Sequence, residues 1–418
     1  MSLIFKNAFV YNMGKTDIVV DNGIITKISH VIPSDGDVVF NFDNLYIFPG
    51  FADVHVHLRE PGFSYKETIK TGTKACARGG FTHVCSMPNL NPVPDCKSNL
   101  NKQLEIIDRD ACINVIPFGS ITVGQNGEKL SDMESMKDSV VGFSDDGRGV
   151  QNEDMMKQAM FVSKNMNKII SAHCEDNSLL EGGYIHKGEY ALANGHKGIC
   201  SESEWGPIKR DIELVKQTGV SYHVCHISAK ESVDIIRQAK KDGVDITCET
   251  APHYLVFCDD DLKDEGRFKM NPPIRAKEDR EALIEGVLDG TVDMIATDHA
   301  PHSFEEKSKG LKGSLNGIVG IETSFPVMYT HFVKKGIFSI DKLIELMSTN
   351  PAKRFGFDNH IKVGSKANFT VFDLEEKYTV NSSEFESMGK SSPFDGTQVY
   401  GRCIMTVANG NIAYQYNK

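Results

Sequence analysis

The chain has 418 residues, 40% of them hydrophobic and 25% charged, a composition that can bury a large globular core. Its formal charge of −11 argues against nucleic acid or an anionic membrane as the main partner. No apolar run approaches the roughly 20 residues that cross a bilayer, and none of the ten cysteines forms a C-x-x-C pair, which excludes a zinc ribbon or a dithiol redox motif.

The opening residues carry no basic segment followed by an apolar stretch and a cleavage site. Cysteines such as Cys85 and Cys225 sit in apolar runs, as reduced, packed thiols do, so the expected compartment is the cytoplasm. The first 50 residues then read as short strands, Ile4–Tyr11, Ile18–Val20 and Ile24–Ile28, with Asn22-Gly23 as a hairpin turn. Strands over Ala367–Asp373 and Gln398–Val407, with a turn at Asn409-Gly410, give the other end of the chain the same texture. The two ends together predict a small composite β-sandwich, residues 1–50 plus 356–418.

Between them, residues 51–355 alternate apolar runs with helical patterns such as Tyr65–Arg78, Asp154–Asn165 and Ser232–Lys241. Eight runs can be counted: Ile47–Val56, Thr82–Met87, Ile113–Thr122, Val140–Ser144, Ile169–His173, Ser221–Ile227, Asp245–Glu249 and Val292–Thr297. Eight β/α alternations predict an α/β fold, a (β/α)8 TIM-type barrel. Periodicity cannot show closure, so a doubly wound open sheet is the alternative.

In a barrel, chemistry sits at the C-terminal strand ends. Strand 1 ends in Asp53-Val54-His55-Val56-His57, whose alternation puts Asp53, His55 and His57 on one face. Asp145-Asp146-Gly147, His173, His226 and Asp298-His299 close four further strands. A lone His-x-His or Asp-Asp-Gly is not diagnostic. Five of eight strand ends converging such groups is another matter, because burying them together is costly unless a divalent metal compensates.

Asp53-Val54-His55-Val56-His57-Leu58-Arg59-Glu60-Pro61-Gly62 resembles the opening signature of the dihydroorotase branch of the amidohydrolase superfamily. The resemblance continues in order through Met87-Pro88-Asn89, Phe143-Ser144-Asp145-Asp146-Gly147, His173-Cys174-Glu175-Asp176, His226-Ile227-Ser228-Ala229, Met270-Asn271-Pro272-Pro273-Ile274-Arg275 and Ala296-Thr297-Asp298-His299-Ala300-Pro301-His302. Carried over by position, it implies a zinc held by His55 and His57 with Asp298 nearby, a second zinc held by His173 and His226, and Asp146 bridging the two. Many superfamily members carry a carbamylated lysine at the bridge. The aspartate here matches one bacterial subfamily. Asp145 is the rival bridge, and Asp146 is preferred because it lies 27 residues before His173, as in that subfamily.

The resemblance further implies substrate contacts from His57, Arg59, Asn89, Asn271, His302 and the backbone of Asn316-Gly317, with Asp298 as the catalytic proton carrier. Asn316 departs from a larger apolar residue common in the family, as Tyr254 and Asn368 depart from a histidine and an aspartate. The implied reaction is the zinc-dependent, reversible interconversion of (S)-dihydroorotate and N-carbamoyl-L-aspartate in pyrimidine biosynthesis. Allantoinase- or dihydropyrimidinase-type activity is the nearby alternative. A non-catalytic scaffold for aspartate transcarbamoylase is the distant one, because such scaffolds lose metal ligands and this chain keeps them. A homodimer is expected from the family, and an association with aspartate transcarbamoylase is open.

Residues 303–317, with three glycines, read either as a mobile flap or as a plain solvated loop. His83 and His223 are expected to be packed, and His186, His196, His331 and His360 to lie at the surface. His253 is left open, and His299 is expected to orient its neighbours without binding metal.

Overall fold

Eight parallel strands carry the chemistry: Phe51–Val56, Phe81–Ser86, Asn114–Pro117, Gly142–Phe143, Ile169–Ala172, Ser221–Val224, Ile246–Thr250 and Met294–Ile295. A computed structural model describes residues 2–33 and 38–417 of the chain. The first three strands form one ladder and the last five another. Parallel bridges Gly119–Phe143 and Val56–His299 join them, so the ring closes and the open-sheet alternative falls. Asp53 reinforces the closure between strands 1 and 8: Thr297 donates to its carboxylate through both the backbone N–H (3.1 Å) and Oγ1 (2.6 Å).

Amphipathic helices cover the ring, among them Ile69–Arg78, Glu153–Asn165, Glu202–Thr218 and Lys230–Lys241, burying Ile208, Val215, Val233 and Ile236. Two start where a side chain caps the first turn. Thr68 Oγ1 accepts from the Thr71 N–H, so the first helix begins at Ile69 rather than Tyr65, and Asn152 Oδ1 accepts from the Met155 N–H.

The apolar run Ile47–Val56 is not one strand. Tyr46–Pro49 pairs with Phe369–Phe372 in the terminal sheet, and Phe51–Val56 starts the barrel. The chain breaks between them because Pro49 lacks a donor for a continuing ladder. Gly50 also has no room for a side chain, since a Cβ there would lie 2.1 Å from Thr82 Oγ1.

Strands from both ends of the chain form one branched eight-stranded sheet. The sheet curls over its own core: Phe5 and Phe369, on strands not paired with each other, meet edge to face at 5.0 Å. A bridge from Ile24 to Lys366 ties the far edge back to the segment entering Phe369–Thr379. Asn22 (φ 49°) and Gly23 (φ 81°) make the expected hairpin turn.

Candidate metal centre

Polar side chains converge at the C-terminal mouth because several strand ends turn inward. Arg59 (φ 60°), His226 (φ 30°) and Asp298 (φ 46°) adopt left-handed backbone conformations that cost a non-glycine residue on the order of 1 kcal/mol. Each lies just past a strand and sends its side chain into the mouth.

Asp146 is the hub. Its Oδ1 lies 3.3 Å from His55 Nε2, 3.4 Å from His226 Nε2 and 3.6 Å from His173 Nδ1, and its Oδ2 lies 3.4 Å from His57 Nε2. Asp298 Oδ1 lies 3.1 Å from His57 Nε2 and 3.5 Å from His55 Nε2. Two overlapping donor sets result, His55–His57–Asp146 and Asp146–His173–His226. Asp145 points elsewhere. One of its oxygens accepts from the backbone N–H groups of Ile121 (2.8 Å) and Thr122 (3.1 Å), and the other from Thr122 Oγ1.

The donor chemistry fits a metal. His55 Nε2 and Asp146 Oδ1 are fully buried and find no hydrogen-bond partner among the described residues, although both belong to groups that demand one. Burial works against charge on Asp146, but the surrounding imidazoles hold its carboxyl well below the ordinary range. Asp298 is likewise held low against burial, first by its contact with His57. Two anions ringed by four imidazoles are what a pair of cations would neutralise. A third set, His55–Cys225–Glu249, reads differently. Glu249 contacts His55 through Nδ1, on the side away from Asp146, and burial pushes the Cys225 thiol up to about 12.

His57, Arg59, Asn89, Asp146, His173, His226, Asn271, Asp298, Asn316 and Gly317 line one cavity of about 180 Å³. His55 lies fully buried behind it. His302 stands at the rim, its Nε2 3.3 Å from Arg59 Nη2 and 2.7 Å from the Asn316 carbonyl. Burial and the neighbouring cations Arg59 and Lys66 push His302 down to about 3, so it is neutral. Its Nε2–H then donates to Asn316 and its Nδ1 accepts from Lys66 Nζ at 3.2 Å. Arg59 spends Nε on the Pro301 carbonyl (3.1 Å). Asn89 Oδ1 and Asn271 Oδ1 are buried without a partner among the described residues, while their amide groups donate to the Asp146 carbonyl (2.5 Å) and Glu175 Oε1 (2.9 Å). Gly317 (φ 129°) must be glycine: a Cβ would meet the Ala300 carbonyl at 2.7 Å and His302 Nε2 at 3.1 Å.

The structure thus brings the whole set of expected site residues to one mouth. It adds Glu249, Glu175 and Lys66, to which the sequence assigned no role. Glu249 was the most findable, an acid closing the seventh run as His and Asp close its neighbours. His83 and His223 are packed as expected, and His253 and His299 prove buried. His186 corrects the surface expectation: it is buried at 9% exposure because the chain around it folds back as the short ladder Ile185–Ile199.

Residues 45–232 match the family model described as Dihydro-orotase-like. A dihydroorotase of Fusobacterium nucleatum is 50% identical over 402 residues, covering 96% of this chain and 95% of that protein. One of Bacillus cereus is 46% identical, covering 99% of each. Among solved structures, the dihydropyrimidinase of Brevibacillus agri superposes with a TM-score of 0.87 at 22% identity over 99% of this chain and 95% of that one. The L-hydantoinase of Arthrobacter aurescens superposes with a TM-score of 0.88 at 25% identity over 100% and 96%. These structures speak for the fold.

Proposed function

The chain belongs to the dihydroorotase family of cyclic-amide hydrolases, and from that premise we propose that it interconverts (S)-dihydroorotate and N-carbamoyl-L-aspartate on two zinc ions. His55, His57 and Asp298 would hold one metal, His173 and His226 the other, with Asp146 shared between them. Imidazole and carboxylate donors suit zinc. The observation that carries the reading is the pairing of this centre with Arg59 in one small cavity, which offers hydrolytic chemistry beside a receptor for a carboxylate. When bound, the metals supply an acidified water and positive charge at the amide carbonyl.

The rest falls to the chain. Arg59, with Asn89 and His302, receives the substrate carboxylate and fixes the ring. Asn271 and the backbone of Asn316-Gly317 border the ring's other edge. Asp298 contacts His57 through Oδ1, and its Oδ2 is the atom proposed to take the proton of the attacking water and pass it to the leaving ring nitrogen. In ring closure the same carboxyl begins protonated, so closure favours lower pH than opening. A cytoplasmic location is supported by ten cysteines free of disulfides.

The test is ring opening of L-dihydroorotate by zinc-replete protein, beside allantoin and dihydrouracil, with Asp298→Ala as control. Turnover of dihydroorotate that drops by roughly 10²–10⁴-fold in the control supports substrate and proton carrier together. Turnover of a rival substrate alone moves the assignment within the superfamily. Inactivity towards all three despite bound zinc refutes it.

A further inference from the structure

We propose that Glu249, at the end of the seventh barrel strand, is the positioning residue of the metal centre, orienting one ligand of each metal through a single carboxylate. The inference rests on the two-metal reading above.

Glu249 is fully buried, and both its oxygens are engaged. Its Oε1 lies 2.7 Å from His55 Nδ1 and 3.2 Å from the backbone N of His226, and its Oε2 lies 3.1 Å from His223 Nε2. An ionised carboxylate only accepts, so all three neighbours must donate. The proton on His55 is thereby fixed at Nδ1. That leaves the Nε2 lone pair bare and aimed at the hub, 3.3 Å from Asp146 Oδ1, as a ligand requires. The other tautomer would set a lone pair against an anion at 2.7 Å.

His223 completes the arrangement. Its Nδ1 lies 2.9 Å from Thr247 Oγ1, so the hydroxyl donates there and Nε2 carries the proton that Glu249 accepts. The chain Thr247, His223, Glu249, His55 runs across the barrel interior from strands 6 and 7 to strand 1, which are not neighbours in the ring. The second arm reaches the other half of the centre. The His226 N–H bond to Oε1 supports a residue whose left-handed backbone (φ 30°) would relax without it, swinging its imidazole away from Asp146. Glu249 itself is not a ligand, because it meets His55 on the face opposite the hub.

Stripped wild-type, Glu249→Gln and Thr247→Val proteins would be titrated with zinc in equilibrium dialysis, with bound metal counted by mass spectrometry and folding checked by circular dichroism. Glu249→Gln replaces one acceptor with a donor facing N–H groups, so it should fold yet bind zinc roughly 10–100-fold more weakly. Thr247→Val should weaken binding by a few-fold. Wild-type stoichiometry and affinity in Glu249→Gln would overturn the inference. If that variant does not fold, the zinc-loaded wild type decides. A ¹⁵N-histidine spectrum should place the His55 proton on Nδ1, and a proton on Nε2 would refute the positioning role. Wild-type protein that takes up no zinc would instead sink the two-metal reading, and this inference with it.

Discussion

Adjacent residues of one type meet opposite fates at Asp145 and Asp146. Asp145 turns into the wall between strands 3 and 4, where N–H and O–H donors of Ile121 and Thr122 occupy it. Asp146 turns into the mouth, with four imidazoles within 3.6 Å. Asp146→Asn should therefore lose bound metal while the protein stays folded. Asp145→Asn should keep its metal and lose about 1–3 kcal/mol of stability, because a buried acceptor is exchanged for a partial donor. Metal counts and thermal melts on the two variants separate these outcomes, and the reverse pattern would exchange the roles. Arg59 supports a second residue-level prediction. A planar fork cannot be replaced by an ammonium group, so Arg59→Lys should raise KM for dihydroorotate by roughly 10-fold and Arg59→Met by roughly 100-fold. Any turnover of dihydrouracil, which has no carboxylate, should change little. Equal losses on both substrates would show that Arg59 shapes the site instead of reading charge.

At the scale of elements, residues 303–317 carry regular structure where a flap or a solvated loop was expected. They fold into two short helices, Phe304–Lys307 and Gly310–Gly313, tied down at several points. Tyr65 and Lys66 both reach Glu306 Oε1 at 3.0 Å, and Leu311 N–H donates to Asp264 at 2.8 Å. Lys307 is buried and donates to the carbonyls of Lys269 (3.0 Å) and Leu315 (2.8 Å). Burial, with Lys269 close by, pulls its ammonium down to about 7. The Leu315 carbonyl it holds lies two residues before Gly317, whose N–H also reaches the Lys269 carbonyl (3.1 Å). Lys307→Met should loosen the segment, giving faster amide exchange across 303–317 and a KM raised several-fold with kcat nearly unchanged. Unaltered exchange there would show that the helices hold the segment without the lysine.

Over the whole molecule, acid sensitivity follows from buried histidines outside the candidate metal-ligand groups. Burial pushes His83, stacked on Phe357 at 5.3 Å, down to about 4, and burial with Arg275 does the same to His186. Unfolded chain takes up these protons near pH 6.5, the folded form only near 4. Their contribution is therefore intact above pH 6.5 and lost as pH falls toward 4. A His83→Gln/His186→Asn double variant should melt with a flatter pH dependence than wild type between pH 6.5 and 4 by calorimetry. Parallel curves would place the acid sensitivity elsewhere.

Much of this protein was legible in one dimension. Repeated apolar runs forecast the strands, and histidines and aspartates at their ends forecast the mouth, because strand alternation and the parallel direction of a barrel are local rules. Asn22-Gly23 forecast its hairpin for a similar reason, since the turn depends only on its own φ angles. Other features needed three dimensions. Ring closure rests on bridges between Val56 and His299, and between Gly119 and Phe143. The break at Gly50 depends on Thr82, the burial of His186 on its pairing with Ile199, and the orientation of Asp145 on the backbone of residues 121 and 122. Glu249 shows the divide most clearly. In sequence it is an acid at the end of the seventh run, with nothing local to give it a role. Its meaning comes from His55, 194 positions away, because a buried carboxylate is defined by the donors that surround it, and only the folded chain supplies them.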